Sequence, residues 1–260
     1  MQYLVHTFIL LLIQGIYLIV NNPTLLFDLY PKLILIFLFL RILNFKTKEY
    51  TFLIDTQYIT CYLILIYYFW ISKPILFTII WIFSIQLSFS MLFTFRKFNF
   101  QNQFESLNTF LFLLPLYFCF CLRWFIENEE EKKKISEMGM NLFQVFPSIF
   151  WSNLISFIQI ILYSEIFKAL GIKKTQNSFH IWIKKFKIFF EEYFEIQYEF
   201  LTGYWNLFFP GDYTIIFSTI FYFLFHEFCC FLSMSLIWNF NFHLFYFLFI
   251  HLVLIYNTIF

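Results

Sequence analysis

Apolar residues run along this chain in long blocks broken by short polar connections. The blocks fall at about 4–21, 30–45, 51–72, 75–95, 107–126, 141–168, 213–238 and 241–259. A hydrocarbon layer about 30 Å thick needs roughly 20 apolar residues rising 1.5 Å each. Every backbone polar group must be satisfied inside such a layer, so unbroken blocks of this length predict helices; barrel strands would alternate. The expected fold is all-α, a polytopic transmembrane helix bundle of seven or eight spans. Both numbers stand, because the second block is short and the fourth directly follows Lys73-Pro74. Asn21-Asn22-Pro23 predicts a turn after the first block. That block lacks a basic n-region and a small-residue cleavage site, so it is expected to stay as a membrane segment and not act as a signal peptide.

Two stretches interrupt the pattern. Glu127-Asn128-Glu129-Glu130-Glu131-Lys132-Lys133-Lys134 is a charged tip between helices, with helix-compatible Glu/Lys spacing. The longer stretch is 171–212, where Lys184, Lys185 and Lys187 and then Glu191, Glu192, Glu195 and Glu199 alternate with Ile, Phe and Tyr. It predicts an amphipathic helix, over about 176–204, lying at a membrane interface or against a partner, with its basic half toward anionic headgroups. Four regions result: an N-terminal two-helix pair (1–46), a central transmembrane bundle (47–170), an amphipathic interfacial insertion (171–212) and two C-terminal transmembrane helices (213–260). Lys and Arg are spread too evenly over the connections for the positive-inside bias to assign an orientation.

Composition sharpens this picture. Only 13% of residues are charged, against about 25% in soluble domains, and the mean hydropathy is +0.74, so a fully water-facing surface could not be built from this supply. Phe occurs 45 times and Gly five, while Ala169 is the sole alanine. Packing does not require so much Phe. Phe, Ile, Tyr, Asn and Lys belong to A/T-rich codons and Ala and Gly to G/C-rich ones, which points to an A/T-rich organellar genome, most simply a mitochondrial one. A net charge of +1 leaves no electrostatic footprint for nucleic acid. Cys61, Cys119, Cys121, Cys229 and Cys230 all sit in apolar runs and are expected as small buried hydrophobes.

Enzymatic signatures are missing: no Gly-rich phosphate loop, no His-Glu-x-x-His, no Cys-x-x-Cys and no Gly-x-Ser-x-Gly. Of the five histidines (His6, His180, His226, His243, His251), His243 and His251 stand eight apart on one helix face. A bis-histidine haem site draws its ligands from opposing helices, so hydrogen bonding within the bundle is the expected role of each. No catalytic residue and no metal or haem of its own is expected. Ionisable residues inside apolar spans are costly and invite a role: Asp55, Glu165, His226 and Glu227, with Gln57 a costly neutral neighbour. For Asp55 and Glu165 two readings stand: such a role, or a place near a span end from which the side chain reaches the headgroups. A charge at the bilayer centre costs about 2.5–3.5 kcal/mol, so Glu227 is expected against protein or bound lipid, with a polar partner.

Several polar anchors fall in the order found in subunit III of cytochrome c oxidase, and the chain resembles that family from about residue 41 to its end. Arg41 and Lys46 follow the second block, and Phe52-Leu53-Ile54-Asp55-Thr56-Gln57 opens the next, like the family's Leu-Phe-Ile-x-Ser-Glu. Tyr67-Tyr68-Phe69-Trp70 and Pro74 resemble its aromatic stretch and closing proline. Leu107-Asn108-Thr109 and Glu127-Asn128 bracket a span as in its fourth helix, and Ser164-Glu165-Ile166-Phe167-Lys168-Ala169 is similar to the end of its fifth. Gly211-Asp212, Ser218-Thr219 and Phe225-His226-Glu227-Phe228-Cys229 resemble its sixth helix, and Phe242-His243-Leu244-Phe245-Tyr246 its seventh. The departures are specific. Gln57 replaces a buried Glu, Cys229 a second His and Tyr246 an Asp; 75–98 is apolar where the family has a Pro/Gly-rich loop, and 170–210 is an insertion.

The resemblance implies a core subunit that packs against the catalytic oxidase subunit and holds phospholipid, with haem and copper in partner subunits, in the inner mitochondrial membrane. By that resemblance, together with the cost argument, Thr56, Gln57, Glu165, His226, Glu227 and His243 are the candidate lipid-binding or structural polar residues. Chain 6 of the mitochondrial NADH dehydrogenase is the alternative: Asn22-Pro23 and Gly139-x-x-Leu142-Phe143 resemble it, but its Gly-rich third helix is missing. A stand-alone transporter would show internal repeats and broken helices, and no repeat is evident.

Overall fold

The computed structural model describes residues 21–43, 55–94, 103–125, 133, 142–161 and 214–259. Among the described residues there are seven helices and no strand: α1 (Pro23–Leu43), α2 (Thr56–Phe69), α3 (Pro74–Thr94), α4 (Gln103–Phe125), α5 (Leu142–Ile161), α6 (Thr214–Trp238) and α7 (Phe240–Ile259). Local chemistry sets several of their ends. Pro23 and Pro74 each occupy a first helical position, where the missing N–H would have had no partner. Asn239 alone separates α6 from α7. Its side-chain Oδ1 accepts the Phe242 N–H at 3.1 Å and its carbonyl accepts the His243 N–H at 2.9 Å, which starts α7 at once. At the other end of α2, the Trp70 and Ile71 N–H groups both return to the Ile66 carbonyl before Lys73 leads into α3.

The helices alternate in direction. Tyr30 meets Tyr117 while Phe37 meets Phe110, so α1 runs antiparallel to α4. The Tyr68 hydroxyl, near the end of α2, reaches Asp28, near the start of α1, at 2.7 Å. Trp81 and Ser88 of α3 meet His243 and Tyr246 of α7, which makes these two parallel. Ser152 meets His226 while Phe157 meets Phe223, so α5 and α6 are antiparallel. In chain order the seven helices therefore run down, up, down, up, down, up and down, and α5 ends at the same side of the bundle where α6 begins.

The centre of the bundle is α3, which packs against α2, α4, α5, α6 and α7, while α1 flanks α4 and α2. Its side chains from Phe77 to Ser88 are all buried. Tyr67, Phe77, Trp81, Phe118, Phe120 and Phe247 form part of one continuous core, and Ile82, Val145, Cys230 and Met234 fill a second contact on the α5–α6 side of α3. By length and apolar composition two helices could cross a membrane, over Pro74–Met91 and Phe240–Thr258; the first is mostly enclosed by its neighbours, as a core helix would be. Shorter apolar helical runs cover Thr109–Phe125, Val145–Ile160 and Tyr222–Trp238.

The second apolar block, placed at 30–45, is a helix from Pro23 onward, and the break expected at Asn21-Asn22-Pro23 is present at Asn22, the non-helical residue before it. Pro74 follows the aromatic stretch at the end of α2 and opens α3, and the block 75–95, expected as a span, is the innermost helix. The first block (4–21), the charged tip apart from Lys133, the insertion 171–212 and Glu165 lie outside the described residues.

Candidate functional site

Polar side chains of this bundle point inward. Along one seam, Gln86 of α3 stands between two residues of α6. Its Nε2 donates to the Tyr222 hydroxyl at 3.0 Å, and its Oε1 lies 2.9 Å from His226 Nδ1. An amide oxygen only accepts, so Nδ1 carries the proton and Nε2 is the acceptor for Ser152 Oγ of α5 at 3.2 Å. Ser152 has a single proton and also lies 2.9 Å from the Ile149 carbonyl, so the hydroxyl is shared between two acceptors. Two turns further along α5 and at the start of α2, the Thr56 hydroxyl points to Gln159 Oε1 at 3.5 Å, the long limit of such a bond. All of these side chains are buried.

Two further knots lie between α3, α4 and α7. The Trp124 indole N–H can only donate, and it does so to His243 Nδ1 at 2.6 Å. The imidazole is therefore neutral with its proton on Nε2, a buried atom without a hydrogen-bond partner. Trp81 and Phe120 pack against that ring in T-shaped arrangements, with ring centroids 4.6 Å away in each case. His251 has the opposite tautomer. Its Nδ1–H meets the Phe247 carbonyl at 2.6 Å, leaving Nε2 to accept the Tyr117 hydroxyl. Near them, Ser88 bonds Tyr246 at 2.8 Å and Ser84 touches Cys119 at 3.4 Å. Arg123 is buried too; its Nε donates to the Ile237 carbonyl at 3.0 Å and its guanidinium lies 4.4 Å above Trp124.

Glu227 is different. It is exposed, and its Oε1 accepts the Asn153 side-chain N–H at 2.5 Å from α5. His226 and Glu227 are adjacent in sequence but, a 100° step apart on the helix, differ in surroundings: the histidine is buried in the bundle and the carboxylate lies on its outer face.

Of the six candidate polar residues, the structure thus places Thr56 and His226 on the seam joining α2, α3, α5 and α6. Gln57 is buried beside Thr56 with its Oε1 unpartnered. His243 belongs to the aromatic knot nearer the other end of the bundle, and Glu227 to the outer face. The five that are described do not converge on one pocket. Sequence reasoning passed over Gln86, Ser152, Asn153 and Tyr222, which organise the seam. The signal was present: Ser84, Gln86, Ser88 and Ser90 punctuate the block 75–95, and a glutamine there carries the same burial cost as Gln57.

Among the described residues, no three of His, Cys, Asp and Glu come together in a way that could hold a metal ion. Both nitrogens of His226 and His251 are committed to protein partners, so neither offers a free ligand without breaking a bond. All five cysteines are buried and free. No family model, curated protein or solved structure matches this chain.

Proposed function

We propose that this chain is a multi-pass membrane protein of seven or eight spans, acting as a non-catalytic core subunit of cytochrome c oxidase in the inner mitochondrial membrane. The observation that carries the membrane part is an inside-out distribution of polarity. Gln86, His226, Ser152, Thr56 and His251 are buried, while the outer faces of α1, α5, α6 and α7 carry large apolar side chains such as Phe39, Phe150, Phe231 and Phe245. A soluble monomer rarely exposes contiguous apolar patches beyond a few hundred Å². Lipid is the solvent for which such faces are suited, and the alternating helix directions agree with a chain that crosses repeatedly.

The oxidase part rests on the ordered polar anchors from Arg41 to Tyr246. In this reading the chain steadies the catalytic subunit and holds phospholipid between its aromatic-rich helices, and haem and copper belong to the partner subunits. The central position of α3 departs from the resembled family, so physical reasoning alone reaches only the coarser statement: a scaffold subunit of a membrane complex. A native gel of solubilised mitochondrial membranes tests both levels. The expected result is migration with cytochrome c oxidase activity. Migration with NADH dehydrogenase would replace the oxidase by the chain 6 alternative, and migration alone would favour the transporter.

A further inference from the structure

Glu227 is the fourteenth of the 25 residues of α6, about 17 Å from the C-terminal end of that helix at 1.5 Å per residue. A glutamate side chain spans only a few ångströms and cannot reach a headgroup from there. Its surroundings are apolar and outward-facing. Leu224, Phe228 and Phe231 continue its stripe on α6 at helical spacing, and Phe150 and Phe157 flank Asn153 on α5; Phe231 is 74% exposed. Among the described residues Asn153 supplies one neutral hydrogen bond and no counter-charge stands beside the carboxyl group.

We propose that this α5–α6 seam, centred on Glu227 and Asn153, docks a membrane-spanning helix of a different polypeptide that presents a lysine or arginine at mid-depth. The proposal rests on the membrane reading given above. Charge complementarity selects the occupant, because a carboxylate in an apolar layer needs a cation and not merely more apolar surface. Among the described residues no lysine or arginine of this chain supplies one. Arg123 is committed near the end of α6, and Lys32 lies on α1, at the flank formed with α4 and α2.

A second copy fits less well. Joined by the same face, it would set Glu227 against Glu227. Joined head to tail, it would have to offer Lys32, which is nine residues from the start of α1. Lys32 has a long stem leaning toward that end, and Asp28 stands one turn away on the same side. Lys32 thus has an acidic neighbour on its own helix, whereas among the described residues Glu227 has no basic one.

The test uses full-length chain in its native membrane. Carbonate extraction comes first: release of the chain from the membrane would refute the membrane reading, and the proposal with it. With the chain retained, a photoreactive benzophenone amino acid is placed at Phe231, and for comparison at Phe245 of α7. The expected result is a Phe231 adduct whose partner peptide, mapped by mass spectrometry, is an apolar segment containing Lys or Arg. Its yield should fall at least several-fold in Glu227→Leu and less in Glu227→Gln. Capture of lipid alone, capture of a second copy, a partner segment lacking a basic residue, or an adduct indifferent to Glu227→Leu would each overturn the proposal. Comparison of adduct yield with Lys32→Gln separates the head-to-tail arrangement, which alone would lose its adduct in that variant.

Discussion

A buried side chain in this bundle is fixed less by its own type than by how many lone pairs and protons its neighbours leave over. Gln86 uses both ends of its amide, one for His226 and one for Tyr222. Replacing it with leucine orphans the buried His226 Nδ1–H and removes one of several partners of the Tyr222 hydroxyl. Single interhelical hydrogen bonds in membranes average about 0.6 kcal/mol, but a stranded buried donor costs about 1–3 kcal/mol. Gln86→Leu is therefore expected to lower stability by about 1–3 kcal/mol, read as a lower melting temperature in mild detergent. His243→Phe is the counterpart. It removes an N–H that already lacks an acceptor and orphans only the half-buried Trp124 indole, so its loss should be smaller than that of Gln86→Leu. Equal losses would mean that the Nε2–H of His243 gains as much from its aromatic neighbours as a conventional bond supplies.

At the scale of elements, α3 explains how helices built from so few alanines and glycines pack closely. Serine takes the place of the small residue. Ser84 and Ser88 sit four apart on one face, let α4 and α7 approach, and return their hydroxyls to the Ile80 and Ile85 carbonyls at 2.6 and 3.1 Å. Ser84 is fully buried against Cys119, so Ser84→Leu should force overpacking and cost about 1–3 kcal/mol. Ser84→Ala, which only removes the hydroxyl, should stay near wild type; thermal unfolding of the two variants side by side checks the contrast. This helix also marks how far the sequence could be read. The blocks now seen as α4, α6 and α7 were legible from apolar length, with 213–238 and 241–259 already separate. Block 75–95 was legible as a helix but not as the centre, because apolar length does not say which side chains face neighbours and which face outward. The same limit hid Asn153: a lone asparagine in an apolar block gains meaning only when a carboxylate from another helix stands 2.5 Å away.

At the scale of the whole molecule, helix direction turns an uninformative charge distribution into an asymmetric one. Read along the chain, lysine and arginine are scattered over nearly every connection. Sorted by the end of the bundle at which the flanking helix ends lie, they separate. The helix ends flanking 44–54, 95–102 and 162–213 lie at one end, and these stretches of the sequence contain Lys46, Lys48, Arg96, Lys97, Lys168, Lys173, Lys174, Lys184, Lys185 and Lys187, ten in all. The helix ends flanking 70–73 and 126–141 lie at the other, and these stretches contain Lys73, Lys132, Lys133 and Lys134, four. The positive-inside bias counts lysine and arginine in connections up to about 60 residues and gives little weight to acidic residues, so the Glu-rich tip does not offset the difference. Within the membrane reading, the end bearing Lys46 and Arg96 should face the compartment in which the chain is inserted, and the tip around Lys133 the opposite one. All five native cysteines are buried, which leaves a low background for labelling. Lys46→Cys and Arg96→Cys should react with a membrane-impermeant maleimide from the insertion side only, and Lys133→Cys from the other side only. The reverse pattern would refute the charge rule for this chain, and labelling of all three from one side would refute the alternation of helices on which the count depends.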